Sequence, residues 1–176
     1  MIYVIILIGV IALLYYYFII HGKKKLLNKM ETGVGIIRLG TYARLKQKYK
    51  DMYGEEKARF LAAAVTNELF SEHPSNPEGE EFLKANKALI ERELSNVKND
   101  EEICNAVTQA VRVQVIVDCE RGIRSKESLL DSLDKITKLG VLVPGGVTPS
   151  PKTFLLMANE FYQSINGSSR SGATGS

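Results

Sequence analysis

The chain opens on an uninterrupted apolar run, MIYVIILIGVIALLYYYFII, from Met1 to Ile20. A helix of this length extends about 30 Å, which is the thickness of the hydrocarbon core of a bilayer. Lipid offers the backbone no hydrogen-bonding partner, so a segment that crosses it has to be helical. The pattern therefore predicts one amino-terminal transmembrane helix, assigned to residues 1–22.

A cleavable signal peptide is the alternative for this run. Such a peptide carries positive charge before an apolar run of about 7–15 residues and has small residues at the cleavage site after it. No basic side chain precedes the run here, and its exit is bulky, with Tyr15, Tyr16 and Tyr17 followed by Phe18. The pattern favours an uncleaved signal anchor.

The basic residues after the run set the predicted orientation, because cationic side chains resist translocation and stay in the cytoplasm. The amino terminus is therefore expected outside, and residues 21–176 are expected to be cytoplasmic. Tyrosine rings near the two ends of the run suit the headgroup layers. The predicted lipid contacts are Tyr3, Tyr15, Tyr16, Tyr17, Lys23, Lys24, Lys25, Lys29, Arg44 and Lys48.

The segment that follows combines glycines with a basic amphipathic pattern. Residues 31–40 contain three glycines and are predicted to be a flexible hinge. In residues 41–53, Tyr42, Leu45 and Tyr49 recur at helical spacing, with basic side chains on the other faces. Two interpretations stay open: this helix lies in the headgroup layer, or its tyrosine face packs on the domain and its lysines are solvated.

The rest of the chain is patterned as a helical bundle. Start signals include Asn76 and Ser150, each followed by proline, and the capping-box pair Asn99 and Glu102. Helices are predicted from Glu55 to Glu72, Asn76 to Val97, Asn99 to the break at Gly122, Ser125 to Leu139 and Ser150 to Ile165. The predicted fold is all-α: a transmembrane helix (1–22), a basic collar with hinge and amphipathic helix (23–53), a helical bundle (54–165) and a flexible tail (166–176).

The helix from Asn99 is apolar nearly all round, which predicts that it is the central helix of the bundle. Within it, Val111, Val113, Val115 and Val117 alternate with other residues, and β-branched residues favour strands. A helix is preferred because the 3.6-residue pattern covers the longer stretch and no partner strand is evident.

Charge is unevenly distributed along the chain. Between Lys23 and Lys50 nine basic residues face a single acid, Glu31, which gives +8 and leaves −5 for the rest of a chain whose net charge is +3. Anionic lipid headgroups attract such a collar by about 1 kcal/mol per basic residue. Lipid is favoured over nucleic acid as its partner, because the predicted anchor already holds the collar at a membrane.

The residues needed for catalysis or metal binding do not fall into a recognised pattern. The two histidines, His21 and His73, lack carboxylate or thiol partners at ligand spacing. Cys104 and Cys119 are too far apart on one helix for a disulfide and are expected to be free, buried thiols. No catalytic residue, cofactor or metal ligand is assigned, and the inventory leans against an enzyme.

Three functional hypotheses follow. The leading one is a non-enzymatic tether or adaptor that binds another membrane or cytoplasmic protein, while its anchor confines it to the bilayer. The second is a sensor of anionic lipid through residues 23–50. The third is an enzyme or ligand-binding bundle with a pocket among its helices.

Overall fold

The computed structural model describes residues 2–72, 74, 76–123 and 148–171, together with residues 127, 130, 131, 134, 137 and 140. The side chains of residues 2–8 and 166–171 lie outside this description, as do most of the predicted helix from Ser125 to Leu139 and its connector. The described residues form six α-helices and no strand: α1 (Ile2–Tyr53), α2 (Glu55–Leu69), α3 (Pro77–Ala85), α4 (Lys87–Val97), α5 (Glu101–Arg121) and α6 (Pro151–Ser171).

The predicted transmembrane anchor is wrong. Among the described residues, no helix combines the length and the apolar character that crossing a membrane requires. The single-pass topology, with an outer amino terminus and a cytoplasmic remainder, was derived from the anchor and is wrong with it.

Residues 31–40 continue α1 instead of forming the expected hinge, and the amphipathic stretch 41–53 belongs to the same helix. Gly33 and Gly40 stay helical because they are contact points for α6. A Cβ added at Gly33 would lie 2.6 Å from Cε1 of Phe154, and one at Gly40 would lie 2.8 Å from Cε1 of Phe161. Glycine therefore lets the two helices approach closely. α1 also crosses the boundary drawn at residue 22, and α6 continues to Ser171, past the start of the tail predicted at residue 166. The division into domains stays a prediction.

The second half of α1 is the centre of the bundle, a position that the sequence assigned to α5. It packs against α2, α5 and α6, whereas α5 packs against α1 and α6. Leu45 and Tyr49 are buried in the shared core, so the apolar face of the amphipathic stretch packs on the protein. The core residues that α1 contributes are Met30, Val34, Ile37, Leu45 and Tyr49.

Helix ends follow the capping signals with two differences. Asn76 caps α3 by accepting from the Gly79 amide at 2.8 Å, as predicted, and Gly122 ends α5 in the left-handed conformation. The cap of α5, however, is Asp100, whose Oδ1 accepts from the Ile103 amide. The predicted helix from Asn76 to Val97 is divided at Asn86 into α3 and α4. Residues 111–117 are helical, as preferred.

Candidate functional site

The most exposed apolar surface of the described chain is the first half of α1. We call residues 9–20 the apolar arm. Leu13, Tyr15 and Phe18 retain 69, 70 and 70% of their accessible surface, and the other large side chains from Val10 to Ile20 are exposed as well. The core of the bundle begins only at Met30. The arm is therefore a helix that none of the described elements covers.

Rings at the end of the arm contact one another. Tyr17 stacks on His21, with ring centroids 5.5 Å apart and planes at 14°. Tyr17 also meets Phe18 edge-on at 6.2 Å. Tyr15, Tyr16 and Tyr17 are all exposed, whereas the side chain of Tyr3 lies outside the described residues. Their predicted contact with lipid stays a prediction.

The basic segment 23–50 divides into paired and unpaired cations. Lys23 pairs with Glu120, and Arg38 with Glu72. The remaining paired members, Arg44, Lys46 and Lys50, reach acids on α2 and α5 or just before it. Within the described residues Lys24, Lys25, Lys29 and Lys48 have no acidic partner. The segment is thus not a uniformly cationic surface, and its role in lipid binding stays a prediction.

Arg44, one of the predicted lipid contacts, holds helices together. Its Nε and Nη2 atoms lie 3.0 and 3.1 Å from the two carboxylate oxygens of Asp100, and Nη1 pairs with Glu102. Burial alone would lower the pKa of Arg44, but the hydrogen bond to Glu102 and the charges of both acids outweigh it and raise the pKa. Asp100 also caps α5, so this ion pair joins α1 to the start of α5.

Lys46 and Lys50 converge on Glu55 at the start of α2, at 2.7 and 2.8 Å. Their hydrogen bonds lower the pKa of Glu55 to about 2. These residues line an open groove of about 750 Å³ together with Lys48 and Glu102. The groove is lined by four basic side chains, Arg44 among them, and the two acids offset half of their charge.

A second concave surface lies between α1 and α2, and we call it the α1–α2 cleft. Its volume is about 610 Å³, and its lining includes Gly35, Leu39 and Arg38 from α1 and Ala63, Thr66 and Asn67 from α2. Nη2 of Arg38 lies 2.5 Å from Oε2 of Glu72 and donates to Oδ1 of Asn67 at 3.4 Å. The walls of the cleft are mainly apolar, and Arg38, Thr66 and Asn67 are among its polar side chains.

A polar cluster around the buried side chain of Glu93 joins the end of α1 to α4, and no local sequence pattern predicts it. Glu93 is only 2% exposed. Its Oε1 accepts from the Tyr53 hydroxyl at 2.7 Å and its Oε2 from Nδ2 of Asn96 at 3.2 Å. Nη2 of Arg92 donates to the Tyr53 oxygen at 2.6 Å. Burial opposes ionisation of Glu93, but these hydrogen bonds outweigh it and lower the pKa.

The two cysteines are free thiols, as expected. Cys104 is buried, donates to the Val97 carbonyl at 3.3 Å and has its pKa raised by burial. Cys119 is exposed, contrary to the expectation that both are buried. Among the described residues, no group of three His, Cys, Asp or Glu side chains is placed to hold a metal ion.

Comparison with known proteins adds no relative: no family model, no curated protein and no solved structure matches the chain. The surfaces described above are therefore the basis for a function. Of these surfaces, the apolar arm and the α1–α2 cleft are the two that are mainly apolar.

Proposed function

We propose that the chain is an adaptor that binds a partner protein by inserting its apolar arm between helices of that partner. The observation that carries the proposal is the continuous exposure of the arm's large apolar side chains from Val10 to Ile20. A contiguous exposed apolar surface of this kind is typical of a protein interaction site. The bundle formed by the rest of α1 and α2 to α6 then serves as the rigid carrier of the arm.

The distribution of apolar residues around the arm indicates the shape of the partner's site. Consecutive residues such as Leu13, Leu14 and Tyr15 point in different directions around a helix and are all exposed. A helix that is apolar on every side has to be surrounded, not merely covered along one stripe. We therefore expect a cleft between two or more helices, which encloses more of the arm than the grooves that bind one face of an amphipathic helix.

Charge beyond the arm indicates what rims this cleft. Lys24, Lys25 and Lys29 are exposed and have no acidic partner within the described residues. They follow the arm by one to three helical turns, so they would lie at the mouth of the cleft. Acidic residues at that mouth would complement them, speed association and favour one direction of insertion.

Photocrosslinking in cells tests the proposal. A photoreactive residue at Leu13 of the full-length chain should capture one helical protein, whereas the same residue at Lys87, an exposed position on α4, should not. The captured protein is then purified and its binding to the full-length chain is measured by titration. Leu13→Glu should weaken binding by roughly a hundred-fold or more, because it places a charge in an apolar site.

The basic flank gives an independent check on the same purified pair. Lys24→Glu together with Lys25→Glu should slow association and reduce its dependence on salt. Lys84→Glu together with Lys87→Glu, on α3 and α4, makes the same charge change away from the arm and should leave binding unchanged. Crosslinks at Leu13 that recover only lipid, or a purified partner that binds the Leu13→Glu chain equally well, would contradict the proposal.

A further inference from the structure

We propose that the α1–α2 cleft binds a small, mainly apolar molecule that carries one uncharged hydrogen-bond acceptor, such as an amide or carbonyl group. The cleft volume of about 610 Å³ lies within the range typical of small-molecule sites. The cleft is formed by the bundle, so this inference is independent of the partner proposed for the apolar arm.

Small residues create the space. Gly35 is the middle glycine of residues 31–40, and a Cβ added there would meet nothing within 4 Å. Gly33 and Gly40, by contrast, are in close contact with phenylalanine rings of α6. Ala63 faces the same space from α2. Helix packing explains two of the three glycines, and the third opens onto the cleft.

The wall of the cleft contains an apolar side chain that the fold leaves in water. Leu39 is 61% exposed although it lies in the half of α1 that forms the centre of the bundle. Ile36 and Tyr42, on the same wall, are only partly buried. An apolar molecule in the cleft would cover Leu39 and complete the burial of its neighbours, which is favourable in proportion to the area removed from water.

The polar side chains of the cleft offer hydrogen-bond donors. Arg38 uses Nη2 for both Glu72 and Asn67, and its Nε and Nη1 atoms have no partner among the described residues. The Thr66 hydroxyl oxygen is buried and likewise lacks a partner there. Rotation about the Cα–Cβ bond of Thr66 can carry its hydroxyl to the position that its methyl group now occupies. An acceptor on the ligand would satisfy these donors, which are unfavourable when buried unpaired.

The charges around Arg38 determine the class of acceptor. Glu72 already neutralises the guanidinium, so the site has no net positive charge from this pair. A ligand carboxylate would bring a second negative charge close to Glu72, whereas an amide or ketone oxygen would not. An uncharged acceptor is therefore preferred over an acid with the same apolar part.

Octanamide and octanoate are suitable probes because they share an apolar chain and differ in charge. Each is titrated into the full-length chain while the methyl signals of Leu39, Ala63 and Thr66 are followed by NMR. We expect saturable shifts of these three signals, with octanamide binding more tightly than octanoate. Arg38→Met, which keeps an apolar stem and removes the donors, should weaken octanamide roughly ten-fold.

Gly35→Leu places a side chain in the cleft at a position where nothing obstructs it, so the bundle should still fold. It should abolish the octanamide-dependent shifts. Gly22→Leu is the matched control, because Gly22 is also helical, also has nothing within 4 Å of an added Cβ, and lies outside the cleft. Absence of shifts at the three methyl groups, or unchanged binding in Gly35→Leu, would overturn the site. Tighter binding of octanoate than of octanamide would overturn the inference that the ligand's hydrogen-bond acceptor is uncharged.

Discussion

The two halves of α1 are both rich in apolar side chains, and they differ in what surrounds them. Residues 9–20 project their apolar side chains into solvent, whereas residues 30–49 bury Ile37, Leu45 and Tyr49 against α2, α5 and α6. The buried half contains three glycines and four basic residues, and by hydropathy alone it is the weaker candidate for a core. Burial in this chain depends on how closely another helix can approach, not on the density of apolar residues.

Glycine and ion pairs explain the difference. Gly33 and Gly40 admit rings from α6, and Arg44, Lys46 and Lys50 are held by acids from other helices. The apolar arm has neither feature: a Cβ at its one glycine, Gly9, would meet nothing within 4 Å. The comparison therefore predicts that substitutions at contacts of the buried half destabilise the fold, whereas similar substitutions in the arm have little effect.

The largest contrast is expected for phenylalanines. Phe154 is fully buried against the second half of α1, whereas Phe18 in the arm is 70% exposed. Phe154→Ala should lower the free energy of unfolding by about 3–5 kcal/mol, and Phe18→Ala should change it by no more than about 0.5 kcal/mol. Urea denaturation followed by circular dichroism measures both. Similar losses from the two variants would show that the arm is packed as tightly as the bundle.

The next largest effect on stability is expected for two glycines in the second half of α1. Gly33→Ala forces a Cβ towards the buried Phe154 ring, and despite a better helix propensity it should destabilise by about 1–2 kcal/mol. Gly35→Ala enters open space and should stabilise by about 0.5–1 kcal/mol. Thermal unfolding of the two variants provides the comparison. If Gly33→Ala also stabilises the chain, the close approach of α6 is not needed.

The seven-residue spacing of Gly33 and Gly40 could have been recognised as one face of a helix, since seven residues are close to two helical turns. Glycine destabilises an isolated helix, so local propensity favoured a hinge. Contact with Phe154 and Phe161 reverses that preference. Both rings were assigned correctly to an apolar helix face, but the sequence does not say which helix they meet.

Contacts between residues far apart in the sequence could not be predicted either, because local patterns do not show which helices meet. The capping signals at Asn76, Gly122 and Ser150 are local in sequence and were predicted correctly. Arg44 pairs with Asp100, which lies 56 residues further along the chain, and no local sequence pattern predicts such a pair. The apolar arm was wrongly predicted to lie in a membrane because an apolar run indicates that its side chains avoid water but does not show what covers them. The α1–α2 cleft and the groove beside Glu55 depend on how α1 packs against other helices, which the sequence does not show.

Basic residues of the second half give a smaller contrast. Arg44 is held by both oxygens of Asp100, so Arg44→Gln should destabilise the bundle by about 1–2 kcal/mol. Lys48→Gln, four residues away at a position without an acidic partner in the described chain, should change stability by no more than about 0.5 kcal/mol. Urea denaturation at low and high salt measures both. Equal small effects would mean that Arg44 is a solvated surface residue like Lys48.

The smallest expected effect concerns tyrosine hydroxyls and depends on pH. Tyr53→Phe removes one hydrogen bond to the buried carboxylate of Glu93 and should destabilise by about 1 kcal/mol at neutral pH. Tyr16→Phe, in the exposed arm, should have no measurable effect. The contribution of Glu93 is present above its ordinary pKa of 4.5 and is lost as pH falls through its lowered value in the fold, because the unfolded state then binds more protons.

The difference between the wild-type chain and Tyr53→Phe should therefore shrink as the pH falls below the ordinary pKa of 4.5 and Glu93 begins to protonate in the fold as well. Denaturation at a series of pH values measures this difference directly. A difference that stays constant down to acid pH would show that the Tyr53 hydroxyl stabilises the fold without acting on the ionised form of Glu93. A loss in Tyr16→Phe that matches the loss in Tyr53→Phe would remove the distinction between the two halves of α1 for polar contacts.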